Sequence, residues 1–325
     1  MTQVFLTIDT ELSQPYPADW QTSGLGVTMD RDIHGRTSAG EFGIGFQMDV
    51  LDRYGLRGIF FVDALCADGA GPEVLEEIVS PILKRGHEVQ LHLHTEWLGR
   101  GAQSLLPGRT GQHASHFSLD EQTHLIARGI ENLRACGAPQ PVAFRAGSYA
   151  ANLDTLRALK RNGIRFDTSH NRSFFGGSCA LASVGELWQP AELEGVLEFP
   201  VTCFRDRPGS FRPLQLCACS TGEMKAVLRQ ALARGWHSVV FVSHCFELIR
   251  RAPEAERPAT PNRLVIRRFE RLCRFLGEHR EQLPTMGFSD VDPASIPASQ
   301  PPGPLASHLP RTLWRMVEQA VSAVF

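Results

Sequence analysis

The stretch Gly86-His87-Glu88-Val89-Gln90-Leu91-His92-Leu93-His94-Thr95-Glu96-Trp97 alternates apolar and polar residues. Side chains two apart on a strand share a face, so Val89, Leu91 and Leu93 point one way and Gln90, His92 and His94 the other. Gly86 closes a helical pattern over 73–85, so this strand follows a helix. The same rhythm runs through most of the chain. Strands are expected over Val4 to Asp9, Gly58 to Asp63, Val142 to Gly147, Arg165 to Ser169, Leu197 to Thr202 and Ser238 to His244. Further helices are expected near 40–54, 119–135, 152–162 and 221–234. Those at 119 and 221 open with capping boxes, Ser118 with Glu121 and Ser220 with Glu223. Several helices stop at a glycine suited to a left-handed C-cap, at positions 55, 86, 137, 163 and 235. Alternation of this kind implies an α/β fold with a parallel sheet and outer helices. About seven parallel strands in roughly 290 residues suit a distorted (β/α) barrel better than a small doubly wound domain. No glycine-rich nucleotide loop follows any strand, and there is no internal repeat.

The strand ends carry the chemistry. The first strand ends Leu6-Thr7-Ile8-Asp9-Thr10-Glu11, which sends both carboxylates to one side. Two acids at the mouth of an apolar strand are costly unless paired, hydrated or bound to metal. His92 and His94, two residues apart at another strand end, can approach one divalent ion together, and Glu96 is a further ligand or an acceptor for a ligand imidazole. Arg145 and His244 end two more strands. In a parallel barrel all C-terminal strand ends lie on one face, where the active site is assembled. Convergence of ionisable groups there is hard to explain by packing. His87, at the start of its strand, reads as structural.

Composition sets limits on the alternatives. The chain has 325 residues, 42% apolar and 21% charged, as in ordinary globular proteins. Its net charge of −2 argues against nucleic acid as the main partner. No apolar run is long enough to span a membrane, and no signal peptide is read at the N-terminus. The eight cysteines are scattered without a Cys-x-x-Cys pair, which points to reduced thiols and a cytoplasmic location.

Taken in order, these motifs resemble the polysaccharide deacetylases that share the NodB homology domain (carbohydrate esterase family 4-like), over about residues 3 to 290. Thr7-Ile8-Asp9-Thr10-Glu11 is similar to the family's first motif in its Asp-x-Asp/Glu form. Gly86-His87-Glu88-Val89 reproduces the lead into the second. The resemblance implies Asp9 as general base and Glu11 as metal ligand, with the two roles exchangeable. It places the first metal histidine at His92. The family's usual partner, four residues on, is Glu96 here, so His94 is the preferred second ligand, as in a subgroup with Leu-His-Leu-His linked to surface polysaccharide; Asp9 and Glu96 stand as alternates. Arg145-Ala146-Gly147-Ser148-Tyr149 stands for the third motif: Arg145 would hold the catalytic carboxylate and the Tyr149 backbone N–H would help bind an oxyanion. Asp167 is a supporting group and His244 the general acid. The implied activity is metal-dependent removal of an N-acetyl group from a sugar of bacterial surface polysaccharide or its precursor, with Zn²⁺ the expected metal. Hydrolysis of another amide on the same fold is one alternative. A degenerate carbohydrate-binding barrel is the other, drawing on the absent second acid at position 10 and the absent histidine at position 96.

The barrel is expected to fill residues 1–290. Val291 to Pro310, with six prolines, reads as a linker or surface arm. Over 311–325, Leu313, Val317, Ala320, Val321 and Val324 fall at helical spacing. Their face is expected to dock on the barrel or on another subunit. A peripheral membrane contact is the alternative, with only two arginines on the polar face. Trp97, Trp188, Trp236 and Trp314 read as packing residues, Trp97 with sugar stacking as a second reading. The arginines of Phe204 to Arg212 read as a solvated loop or as contacts for an anionic substrate group.

Overall fold

The computed structural model describes residues 1–13, 24–100, 105–251, 259–296, 298 and 303–324, with side chains as far as Val321. Strands β1 (Gln3–Thr10), β2 (Ile59–Asp63), β3 (Glu88–Leu93), β4 (Ala143–Ala146), β5 (Phe166–Asp167), β6 (Ala191–Leu193), β7 (Val196–Glu198) and β10 (Ser238–His244) form one sheet in the order β10-β1-β2-β3-β4-β5-β7-β6. The seven other than β6 are mutually parallel, and β6 returns antiparallel to β7. A separate hairpin, β8 (Cys203–Arg207) with β9 (Ser210–Pro213), occupies the run expected as a loop. There Arg212 pairs with Asp206 at 2.8 Å, outside the cleft described below.

The sheet curls until its edges nearly meet. The free edge of β10 is hydrogen-bonded by Thr202 N–H to Val240 O at 3.2 Å and by Leu216 N–H to Val242 O at 3.0 Å. The Gln189 side chain also clamps Ser238 through both backbone groups. Irregular segments thus replace a last regular strand, and this is the physical content of the expected distortion.

Helices α2 (Ile44–Arg53), α3 (Pro72–Lys84), α4 (Leu119–Ala135), α5 (Leu153–Arg161) and α6 (Thr221–Ala233) fall where they are expected. Both capping boxes form, and Asn152 with Thr155 adds another. The expected C-cap glycines all have positive φ, from 61° at Gly55 to 83° at Gly137. Helices α1 (Leu25–Asp32) and α7 (Arg263–Glu278) have no counterpart in the sequence-based expectation, nor has the short helix Cys66–Ala70.

The alternation in β3 is realised as read: Val89, Leu91 and Leu93 pack outward among the helices, while Gln90 and His92 are buried on the inner side. At the entry end, the barrel interior is filled by Phe5, Ile59, Phe61, Ala143, Phe166, Phe199 and Val240. Phe288 plugs that end from below, its ring centroid 4.8 Å from Phe5, 5.4 Å from Phe199 and 5.7 Å from Phe166. Val291, just inside the proline-rich stretch, packs on the same cluster, and Leu305–Ala306 (β11) pairs with β8. Residues 297 and 299–302 of that stretch, and the Val324 side chain, lie outside the described residues.

The C-terminal helix α8 (Leu309–Val324) forms, but it meets the body through its polar side. Thr312 and Arg315 are buried, whereas Leu313, Val317 and Val321, expected to dock, are exposed. Trp314 is likewise exposed rather than packed. The reason is electrostatic: Arg315 reaches Glu223 and Asp206, both at 3.2 Å, and this network fixes which face turns inward.

Because Phe288 touches several rings and is fully buried, its truncation should open a cavity at the base. Phe288→Ala is expected to lower unfolding stability by ~3–5 kcal/mol, read from the shift of the urea midpoint. A change below about 1 kcal/mol would show that the barrel base is not closed by this ring.

Candidate metal centre and active site

Strand register assembles the site. Asp9 lies level with His244 on one side and Phe61 on the other, and His92 lies level with Asp63 and Arg145. The inward groups of five strand ends therefore fall on two adjacent levels, Asp9 with His244 and Asp63 with His92 and Arg145, at the C-terminal end of the barrel. They border a cleft of about 210 Å³ lined by Asp9, Glu11, His92, His94, Ala146, Ser148, Tyr149, Phe174, Gln215 and His244.

Glu11 Oε2 stands 3.0 Å from His92 Nε2 and 2.6 Å from His94 Nε2. One donor atom from each residue lies within 4.8 Å of the others. The outer ring nitrogens are engaged elsewhere: His92 Nδ1 donates to the Arg145 carbonyl at 2.7 Å, and His94 Nδ1 faces Glu96 at 3.3 Å. Each imidazole is thereby turned to present Nε2 to the same point, as ligand histidines are when an acceptor fixes the other nitrogen. Two imidazoles and a carboxylate with an open side suit a catalytic divalent ion such as Zn²⁺. The residues fit a metal on these grounds. Glu96 sits behind His94 rather than in the ligand cluster, and Asp9 is held away by Arg145.

Burial pushes the Glu11 carboxyl up, but the neighbouring imidazoles, His94 foremost, outweigh it and hold the group well below the usual carboxylate range. At His94 burial works against the charged form. Glu11, then Glu96 and Asp63, reverse that and raise the imidazole well above its ordinary value. In the metal-free chain a proton on His94 does the work of a cation between acids.

Arg145 is fully buried and crosses the barrel interior. Its guanidinium donates to Asp9 Oδ1 at 2.5 Å, to Thr7 Oγ1 at 2.8 Å and to Thr168 O at 3.2 Å, over the face of Phe61. Asp9 Oδ2 is left turned toward His244 Nε2, 3.9 Å away. That gap is too long for a hydrogen bond, so both atoms face the cleft instead of neutralising each other. On the far side of the ring, His244 Nδ1 is 2.9 Å from Glu247 Oε1, which also accepts from Gln215 Nε2 at 2.6 Å. Burial depresses His244, but the Glu247 hydrogen bond and charge, with Asp9 and Glu11 behind, bring it up to about 9.

Ser148 and Tyr149 are consecutive non-glycine residues with positive φ, 54° and 57°. Such backbone costs of order 1–3 kcal/mol per residue and persists where the surroundings impose it. Here it turns the chain across the cleft. The Tyr149 hydroxyl is buried and has no hydrogen-bond partner among the described residues.

All the residues singled out at strand ends are thus brought together, but Asp167 is not. It lies outside the cleft, its Oδ1 accepting from Ser169 at 2.7 Å, and it interacts with the buried Glu198. β5 turns Phe166 into the barrel, so the next residue must face the other way. Trp97 is a packing residue: it is buried, and its indole N–H donates to Asp63 Oδ2 at 2.6 Å. Asp63 and Glu247 are site residues that the sequence did not single out. Asp63 Oδ1 also accepts the His94 backbone N–H at 3.1 Å, pinning the ligand strand. Its position at the end of a strand was a usable signal. For Glu247, in the turn after β10, there was none.

No protein-family model and no curated protein matches the sequence. Solved structures do resemble the fold. A 4-alpha-glucanotransferase from Thermococcus litoralis superposes with a TM-score of 0.50 at 11% identity, over 89% of this chain and 40% of its own. A Mycobacterium smegmatis protein provisionally described as a polysaccharide deacetylase gives 0.48 at 17% identity, over 90% and 94% of the two chains. A family 4 carbohydrate esterase from Streptomyces lividans, in complex with acetate, gives 0.42 at 13% identity, over 92% and 98%. At 11% identity the likeness to the glucanotransferase speaks to the fold alone, and that fold is the curled, mostly parallel (β/α) barrel described above.

Proposed function

We propose that this chain is a metal-dependent hydrolase that removes an N-acetyl group from a sugar of bacterial surface polysaccharide or its precursor. The observation that carries the reading is the Glu11–His92–His94 cluster flanked by a carboxylate and an imidazole that face one gap. The likeness of the strand-end motifs to those of NodB-type deacetylases supports the choice of substrate. The eight unpaired thiols suit a cytoplasmic setting.

Glu11, His92 and His94 would hold the ion. When bound, Zn²⁺ supplies Lewis acidity toward the acyl oxygen and the attacking water. Asp9 accepts the proton of that water through Oδ2, because Arg145 occupies Oδ1 and keeps the carboxylate in place. His244, kept protonated at neutral pH by Glu247, gives its proton from Nε2 to the departing nitrogen. The Tyr149 backbone N–H serves as donor to the oxyanion, set in position by the left-handed turn. One proton enters at Asp9 and one leaves at His244, so acetate and amine are released in balance.

Asp9→Asn and His244→Ala should each lower kcat on an N-acetylated amino sugar by ~100-fold or more. Near-normal turnover in both would sink the scheme. The pH profile tests the assignment of His244 separately. Its acid form is the active one, so kcat/KM should fall as pH rises through about 9. Glu247→Gln, by removing the charge that raises this imidazole, should move that limb to lower pH; an unmoved limb assigns it to another group.

Metal uptake offers an independent check. His94 is raised well above its ordinary value without metal, so its proton must leave when an ion binds. Calorimetric titration of the metal-free chain with Zn²⁺ in buffers of different ionisation enthalpy should show about one proton released per ion. His94→Ala should bind more weakly and lose that release. A chain that takes up no metal, yet binds acetylated sugar, would instead be the carbohydrate-binding barrel.

A further inference from the structure

The reversed helix α8 leaves an unusual surface. Its inward side is anchored by Arg315 to Glu223 and Asp206 and by Glu318 to Arg268 at 2.8 Å. Its outward side carries Leu309, Leu313, Trp314, Val317 and Val321, each 52% to 60% exposed. The Trp314 indole N–H donates to Glu318 Oε1 at 2.9 Å, so the ring lies along the helix with its polar edge satisfied. A contiguous apolar face of this kind marks an interaction site.

Across a groove of about 780 Å³ from this face runs a row of arginines on α7. Arg263, Arg267 and Arg271 are spaced one helical turn apart, exposed, and in no salt bridge among the described residues. Among the described residues, the acid on the groove wall is Glu318, already engaged by Arg268 and Trp314. The wall also includes Ala39 and Thr260, from the segments that follow β1 and β10, the strands carrying Asp9 and His244. The groove therefore lies at the end of the barrel where the cleft opens.

We propose that this face docks on an anionic phospholipid surface, with the α8 apolar residues in the interface and the α7 arginines on the phosphates. Charge complementarity favours a lipid over a second copy of the chain. Two copies joined across this face would set one arginine row against another, with no free acid among the described residues of the groove wall to separate them. The chain as a whole carries a net charge of −2, so the row is a local feature and not general basicity. Because α8 is already folded and anchored by buried ion pairs, docking incurs no helix-ordering cost. Neither the apolar face nor the arginine row touches the cleft residues, so the surface does not depend on the proposed hydrolase activity.

Co-sedimentation of the full chain with vesicles tests the proposal. Vesicles of equimolar phosphatidylcholine and phosphatidylglycerol should carry the chain down, and those of phosphatidylcholine alone should bind it ~10-fold less well or worse. High salt should weaken binding. Val317→Ser with Val321→Ser, and separately Arg267→Glu with Arg271→Glu, should each reduce binding ~10-fold or more while circular dichroism stays unchanged. On mixed vesicles Trp314 fluorescence should shift to the blue, and the shift should vanish in Trp314→Phe. Failure of the unaltered chain to sediment with mixed vesicles overturns the proposal, as does equal binding by both double variants. A concentration-dependent dimer lost in Val317→Ser with Val321→Ser, without vesicle binding, assigns the face to a second copy instead.

Discussion

A guanidinium with no exposure to solvent sits inside the barrel, and the geometry of the cleft follows from satisfying it. Burying an arginine costs several kcal/mol unless its charge and its donors are met. Arg145 meets them with the Asp9 carboxylate, the Thr7 and Thr168 oxygens and the ring face of Phe61. These partners come from different strands, so the sheet must keep its curl and register for them to converge. The same residue acts a second time through its backbone, because its carbonyl accepts from His92 Nδ1 and thereby aims Nε2 at Glu11. One residue thus orients both the carboxylate proposed as base and one imidazole of the proposed metal set. An error of one residue in the register of β4 would send the guanidinium into the helical layer and lose both effects.

The barrel is built with two unlike ends. At the base, inward positions of successive strands are Phe5, Phe61, Ala143, Phe166 and Val240, closed by Phe288. Two to four residues further along the same strands, the inward positions are Asp9, Asp63, Arg145 and His244. The apolar base supplies the stability that a polar cleft cannot. It also keeps water away from one side of the buried pair, so charge interactions there are stronger than in water. The ionisable groups at the cleft are packed so closely that the perturbation of each depends strongly on its neighbours. Glu11 is held ionised by imidazoles, and His244 is held protonated by Glu247.

Much of this was legible in the sequence, for physical reasons that differ from residue to residue. The β3 pattern is decisive because a strand with helices on one side and a packed interior on the other must alternate, and His92 and His94 fall on the inner phase. Capping boxes are local, so both could be read directly. Helix α7 was also readable in principle, since Val265, Phe269, Leu272 and Leu276 follow helical spacing. Its many arginines weaken the contrast between faces. Glu247 was not readable, because nothing in a turn announces that its side chain will fold back on His244. Asp167, expected as a supporting group, acts from the outer side of a two-residue strand: it holds the Ser169 hydroxyl, which accepts the Ala146 N–H of the cleft wall.

The orientation of α8 shows where periodicity stops being informative. Apolar spacing identifies a face, and the ordinary assumption is that this face goes inward. That assumption weighs only hydrophobic burial. Here the receiving surface holds Asp206 and Glu223, both buried, whose charges need a cation from outside their own elements. Arg212 supplies part of it for Asp206, and Arg315 completes the network for both acids. Docking α8 by its apolar side would leave these carboxylates buried without Arg315, a loss of several kcal/mol that apolar contact has to exceed. The acids therefore decide the orientation, and the apolar residues are left outward because the inward side is already committed. An exposed face of this kind removes little apolar surface from water in the isolated chain, and it is the face proposed to dock on a phospholipid surface.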